Sequence, residues 1–195
     1  MEYIQNLAKI HQLQIIVKKL PEGPRAYLMG EVIYLDESLS QERRNFAFCH
    51  ELAHKLLNHH LQDVLSEEME SEANRLAADL LLPPETFPKD ALAFPLDHLK
   101  QLYPQASWEV IARAKLLLVP ALLTIFDNGK QILRNSHEAV QFLPNLLPVE
   151  LEVFRQCLAV RKHCEMQEGM VRTEGYFVDT GQGILRVLLW TEFDE

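Results

Sequence analysis

The sequence predicts an α+β protein in which a small antiparallel sheet packs on a pair of helices, with a smaller α+β part at the C-terminal end. Three observations carry that reading. Branched and aromatic residues form three short strand-like runs before residue 36. Apolar residues then recur at the helical period in two stretches between residues 40 and 82. After residue 119, two hairpin signals flank one further helical pattern. A chain of 195 residues with 48% apolar and 24% charged residues can build one full core and a small companion. We divide it into residues 1–118 and 119–195.

Residues 2–12 place Ile4, Leu7 and Ala8 on one side, the mark of a short amphipathic helix. The period then changes. Leu13-Gln14-Ile15-Ile16-Val17-Lys18 reads as a strand and Pro21-Glu22-Gly23-Pro24 as a turn. Ala26–Met29 and Val32–Leu35, separated by Gly30-Glu31, read as a hairpin that completes an antiparallel sheet.

The next helix is expected from about Ser40 to Leu57, with Phe46, Cys49, Ala53, Leu56 and Leu57 on its apolar side and Ser38 with Gln41 as a capping box. It contains His50-Glu51-Leu52-Ala53-His54, an HExxH motif. Chance would place this motif in such a chain on the order of a few hundredths of a time. Residues four apart stand one above the other on a helix, so His50 and His54 can offer two imidazole nitrogens to one ion. Glu51 is offset sideways, where its carboxylate can reach a water at the ion without ligating it, as a general base does. His59, beside His60 in the polar cluster that ends the helix, lies about 140° round from His54 on an extended helix. Capping or support of a ligand suits it better than ligation.

A following helix over about Glu67 to Leu82 should supply the third ligand, with Glu67, Glu68, Glu70, Glu72 and Asp79 as candidates. Met69, Ala73, Leu76, Ala77, Leu80 and Leu81 define its apolar arc. Glu70 falls inside that arc and Glu72 at its rim, while Glu67 and Glu68 sit in the first turn, where acidic residues favour the helix dipole. A carboxylate inside an apolar arc is costly unless paired or bound to a metal, so Glu70 is preferred to Glu72. Ala73 and Ala77 allow close helix approach, and Asn74 could hydrogen-bond a ligating histidine. Two imidazoles and one carboxylate suit Zn2+, although manganese or iron could take the same ligands.

The block His50-Glu51-Leu52-Ala53-His54-Lys55-Leu56-Leu57-Asn58-His59, with Glu70-Ser71-Glu72-Ala73-Asn74-Arg75-Leu76-Ala77-Ala78-Asp79-Leu80-Leu81-Leu82-Pro83, resembles the ImmA/IrrE family of HExxH zinc metallopeptidases. Leu76 stands where that family usually has phenylalanine and Ala53 where glycine is common. The resemblance is strong over about residues 25–85 and weak elsewhere. It implies a zincin-like core with metal ligands at His50, His54 and Glu70 and a catalytic glutamate at Glu51. It also implies regulatory proteolysis: cleavage or inactivation of a transcription repressor that releases stress or mobile-element genes. No helix-turn-helix segment precedes the motif, so the repressor is expected to be a separate protein.

Past Pro83-Pro84 we expect a loop through Phe87-Pro88 and Phe94-Pro95, then helices over Leu96–Tyr103 and Ser107–Leu118. Tyr27, Tyr34 and Tyr103 are each able to polarise a scissile carbonyl, with nothing to choose among them. Ala121–Phe126 and Gln131–Arg134 flank Asp127-Asn128-Gly129-Lys130, a strong hairpin signal. Pro148–Cys164 reads as one helix, and Met170–Val178 with Ile184–Trp190 as a second hairpin. No chemistry is visible in this part. Docking of a substrate, sensing or simple stabilisation would suit it.

A formal net charge of −9 disfavours a direct grip on nucleic-acid phosphates and favours a basic or neutral protein partner. Three cysteines without CxxC spacing suit a reducing compartment. With no membrane-length apolar run and no basic-then-apolar leader, a cytoplasmic location is expected. A rival from another class is a zinc-containing protein that sequesters a repressor without cutting it. A weaker third reading is a metal-free scaffold.

Overall fold

The computed structural model describes residues 2–59, 66–181 and 183–194. Seven helices and two sheets among them make the mixed α+β architecture that the sequence predicts. His60 lies outside the described residues. The chain separates into two compact units, Met1–Phe87 with Lys100–Val110, and Pro88–Leu99 with Ile111–Glu195.

The first unit opens with α1 (Glu2–Ile10), β1 (Gln14–Lys18), β2 (Ala26–Met29) and β3 (Val32–Asp36). The sheet order is β1-β3-β2. β2 pairs antiparallel with β3 through the expected hairpin, where Gly30 takes a φ of 60° that only glycine adopts freely. β1 differs from expectation, because it runs parallel to β3, with Gln14 opposite Val32 and Lys18 opposite Asp36. The reason is burial. Ile33 and Leu35 on β3 are fully buried, so the most apolar strand takes the centre, and residues 19–25 carry the chain past it to the far edge. That leaves β2 as an edge strand.

Asp36, at the end of β3, fixes this crossing. Its carboxylate accepts from the Leu20 amide at 2.9 Å, the Ser38 amide at 2.8 Å and the Ser38 hydroxyl. These donors hold the Asp36 carboxyl down at about 2, the Ser38 hydroxyl contributing most. Ser38 is thereby engaged, and Ser40 instead caps α2 (Gln41–Leu56), its hydroxyl oxygen accepting from the Arg43 amide at 3.4 Å. The capping box expected at Ser38 and Gln41 is corrected accordingly.

α2 packs on α3 (Glu67–Leu81), which Ser66 caps. Phe48, Cys49, Leu52 and Ala53 of α2 and Ala73, Ala77 and Leu81 of α3 are fully buried. A buried Phe or Leu contributes about 1.5–3 kcal/mol, while the alanines let the helix backbones approach closely. Residues 100–110 complete this core. The Asn45 amide donates to the Gln105 carbonyl at 2.9 Å and the Gln105 side chain donates to the Leu81 carbonyl at 2.7 Å, tying α2 and α3 to one segment.

The expected loop after Pro84 is instead partly helical, as α4 (Phe87–Ala93), because Pro88 falls in the first turn, where a missing N–H costs nothing. α5 (Leu96–Leu102) and α6 (Trp108–Leu116) follow. The second unit is built on β4 (Leu122–Asp127), β5 (Lys130–Ser136), α7 (Pro148–Val160), β6 (Cys164–Glu168), β7 (Val171–Asp179) and β8 (Leu185–Phe193). Its sheet runs β5-β4-β8-β7-β6 with every pair antiparallel. Both predicted hairpins are present. The helix expected through Cys164 stops at Val160, where Arg161 turns left-handed with φ 53°, and Cys164 starts β6 instead.

α7 covers the sheet through Val153 and Cys157, which pack on Phe126, Val187 and Leu189. A buried ion pair anchors it. Arg134 spans both carboxylate oxygens of Glu150 at 3.2 and 2.9 Å and also donates to Thr124 and to the Leu143 and Asn145 carbonyls. Glu150 further accepts from the Leu147 amide and the Thr191 hydroxyl, so the buried charges are saturated with partners.

Candidate metal centre

On α2, residues 50, 51 and 54 face the groove that α3 and the edge strand β2 border. The one-turn spacing brings His50 Nε2 to 3.0 Å from His54 Nε2. From α3, Glu70 places Oε2 3.3 Å from His50 Nε2 and Oε1 3.6 Å from His54 Nε2. Small residues allow this approach, since Ala73, one turn beyond Glu70, is completely buried.

The three groups fit a metal. Ligand atoms at about 2.0–2.1 Å from a tetrahedral ion stand roughly 3.3 Å apart, and the observed separations bracket that value. One ligand atom from each of His50, His54 and Glu70 lies within 4.8 Å of those of the other two. Burial first, then the neighbouring His50, holds His54 below the usual imidazole range. Glu70 pulls the other way and His59 adds to the lowering. A neutral imidazole is the form that binds a metal.

Glu51 lies beside the triad in the same cleft, outside its ring of donors. Its Oε2 accepts from the Leu28 amide of β2 at 3.0 Å. Burial pushes its carboxyl up to about 7, against the lowering effect of that amide and with a smaller push from the Glu70 charge. A carboxyl poised near neutrality can both take and release a proton.

The cleft holds about 710 Å³. Arg25, Tyr27 and Leu28 line one wall, and Phe46, His50 and Glu51 another. Of the three tyrosines, Tyr27 faces the cleft and stacks on Tyr34 at 4.7 Å between ring centres. Tyr103 is buried against Phe87, with its hydroxyl donating to Thr86.

Other acidic candidates fall elsewhere. Glu67 and Glu68 are exposed in the first turn of α3. Glu72 faces a different histidine, its Oε2 lying 3.3 Å from His59 Nε2. Asn74 lines the cleft, yet among the described residues no hydrogen bond joins it to either imidazole. The partner of His54 is His59, with the two Nδ1 atoms 3.2 Å apart. Projecting an unbroken helix past Leu57 hides this contact. Asn58 was the available signal: asparagine tolerates the left-handed region, and here its φ of 60° ends the helix and turns His59 back.

A family model described as the IrrE N-terminal-like domain, a peptidase family, matches residues 8–114. A solved structure of a Mycobacterium tuberculosis transcriptional regulator is similar with a TM-score of 0.68 at 20% identity, covering 96% of this chain and 69% of that one. That likeness is one of fold. No curated protein matches the chain.

Proposed function

This chain belongs to the peptidase family of the IrrE N-terminal-like domain, and from that premise we propose that it is a zinc endopeptidase with His50, His54 and Glu70 as metal ligands and Glu51 as general base. The observation that carries this reading is the convergence of two imidazole nitrogens and one carboxylate at 3.0–3.6 Å, with a second carboxylate beside them. A bound ion supplies a Lewis acid that polarises the scissile carbonyl and lowers the pKa of water. Glu51 takes a proton from the attacking water and passes it to the leaving amine. The Leu28 amide engages Oε2, which leaves Oε1 for that exchange.

The edge strand positions the chain to be cut. Leu28 points its amide away from β3, so alternation along the strand turns the backbone groups of Ala26 and Leu28 outward. An extended peptide can add there as a further strand through outward groups other than the Leu28 amide, which Glu51 holds. The substrate we propose is a separate DNA-binding repressor of basic or neutral surface, on the resemblance to ImmA/IrrE proteins and the acidic charge of this chain. The peptidase chemistry is assigned to residues 1–118, and docking or sensing to residues 119–195. No helix among the described residues is long and apolar enough to cross a membrane, and the cysteines are free, in keeping with a cytoplasmic site of action.

The alternative is sequestration of the repressor around a structural ion. Three protein ligands with Glu51 alongside favour catalysis, because a structural site closes its fourth position with protein and has no use for a base. Incubating zinc-loaded protein with repressors encoded by neighbouring genes, then reading fragments by mass spectrometry, tests the proposal. Fragments that vanish with chelator support it. A stable complex without fragments supports sequestration.

A further inference from the structure

His59 is almost completely buried, at 5% exposure, although it follows the end of α2 and carries no ligand role. The left-handed Asn58 returns the chain so that the His59 ring meets His54 edge-on, with centroids 5.3 Å apart and planes at 62°. The contact is Nδ1 to Nδ1, at 3.2 Å. It therefore lies on the side of the His54 ring opposite Nε2, the atom that faces His50 and Glu70.

Two facing Nδ1 atoms make a hydrogen bond only if one carries the proton and the other does not. Glu72 decides which. Its carboxylate oxygen, an acceptor only, stands 3.3 Å from His59 Nε2 and favours the proton there. A neutral His59 with its proton on Nε2 has a bare Nδ1, which must accept. His54 must then donate from Nδ1, and its Nε2 is left with a free lone pair aimed at the metal position. His50 has no such support among the described residues, where its buried Nδ1 finds no hydrogen-bond partner.

We propose that His59, steered by Glu72, is a positioning residue that locks His54 in its metal-binding tautomer and ring orientation. The inference rests on the metal-site reading above. Groups behind a ligating histidine of this kind are worth about 10- to 100-fold in metal affinity.

The test measures zinc affinity by competition with a chromophoric chelator, for the parent protein, His59→Phe, His59→Gln and Glu72→Ala. His59→Phe keeps the volume but loses the acceptor, and should weaken zinc binding by about 10- to 100-fold. His59→Gln keeps an oxygen that can accept from His54 and an amide that can donate to Glu72, so it should recover most of the loss. Glu72 is exposed, and its alanine variant should fold and show a smaller loss, which keeps the proposal open to refutation if His59→Phe does not fold. Nitrogen-15 spectra of the zinc-loaded parent should place the His59 proton on Nε2 and the His54 proton on Nδ1. Equal affinity in parent, His59→Phe and Glu72→Ala overturns the proposal, as does a His59 proton found on Nδ1. A parent protein that takes up no zinc overturns the metal-site reading itself, and the inference with it.

Discussion

Replacing Glu51 with Gln separates catalysis from folding in a way the geometry quantifies. The amide is isosteric and its oxygen can still accept from the Leu28 amide, now at 3.0 Å from Oε2, so β2 stays docked and the three proposed ligands are untouched. What is lost, on the proposed mechanism, is the proton acceptor, worth about 10²- to 10⁴-fold in rate, or roughly 3–5 kcal/mol of barrier. What is gained is relief from burying a charge. A carboxyl raised from 4.5 to about 7 destabilises the metal-free fold by on the order of 3 kcal/mol at most. Because the folded value is raised, that penalty is absent below about pH 4.5, grows as the pH rises and is complete above about 7. Metal-stripped Glu51→Gln should therefore melt higher than the parent at pH 8 and no differently at pH 4, while its zinc-loaded form binds the ion normally and cleaves at least about 100-fold more slowly. Turnover within threefold of the parent refutes the general-base role. A lower melting temperature at pH 8 refutes the burial argument, and thermal scans of the stripped proteins distinguish the two.

Other perturbations give equally definite expectations. A Cβ added at Gly175 would sit 2.5 Å from Cys157 Sγ and 2.7 Å from Val153 Cγ1. Gly175→Ala should cost about 1–3 kcal/mol in urea unfolding, and adding Cys157→Ala should return part of that. Arg134→Met leaves the Glu150 carboxylate buried without its cation and should cost about 3–5 kcal/mol, whereas Arg134→Met with Glu150→Met should cost less than the single change. The Asp36 carboxyl, held at about 2 against an ordinary 3.8, contributes stability present above pH 3.8 and lost as the pH falls toward 2. The melting curves of parent and Asp36→Asn should converge through that window. Adding chelator to zinc-loaded protein should lower its melting temperature, with little effect on His50→Ala, whose zinc affinity is already reduced.

The HExxH block and the arc of the following helix were legible because both are periodic within one element. A residue's place on an α-helix follows from its number, so the pairing of His50 with His54 and the inward position of Glu70 need no knowledge of the rest of the fold. Hairpins at Gly30 and Asn128-Gly129 were legible for a similar reason, as turn chemistry acts over a few residues.

Contacts that depend on how elements meet were decided by tertiary structure. The parallel pairing of β1 followed from placing the most apolar strand at the centre, and strand direction leaves no mark in a local pattern. Ser38 lost the helix cap to Ser40 because Asp36, a residue of another element, claims it. Pro88 opened a helix where proline suggested a loop, and the left-handed Arg161 closed another early enough for Cys164 to begin a strand. Glu51 met the Leu28 amide only once β2 became the edge beside α2. His59 reached His54 only because a single left-handed residue reversed the chain. The sequence by itself determined which side chains could hold an ion. The fold decided which strand borders them and which neighbours touch them, because those depend on where the chain turns back and which apolar surface takes the centre.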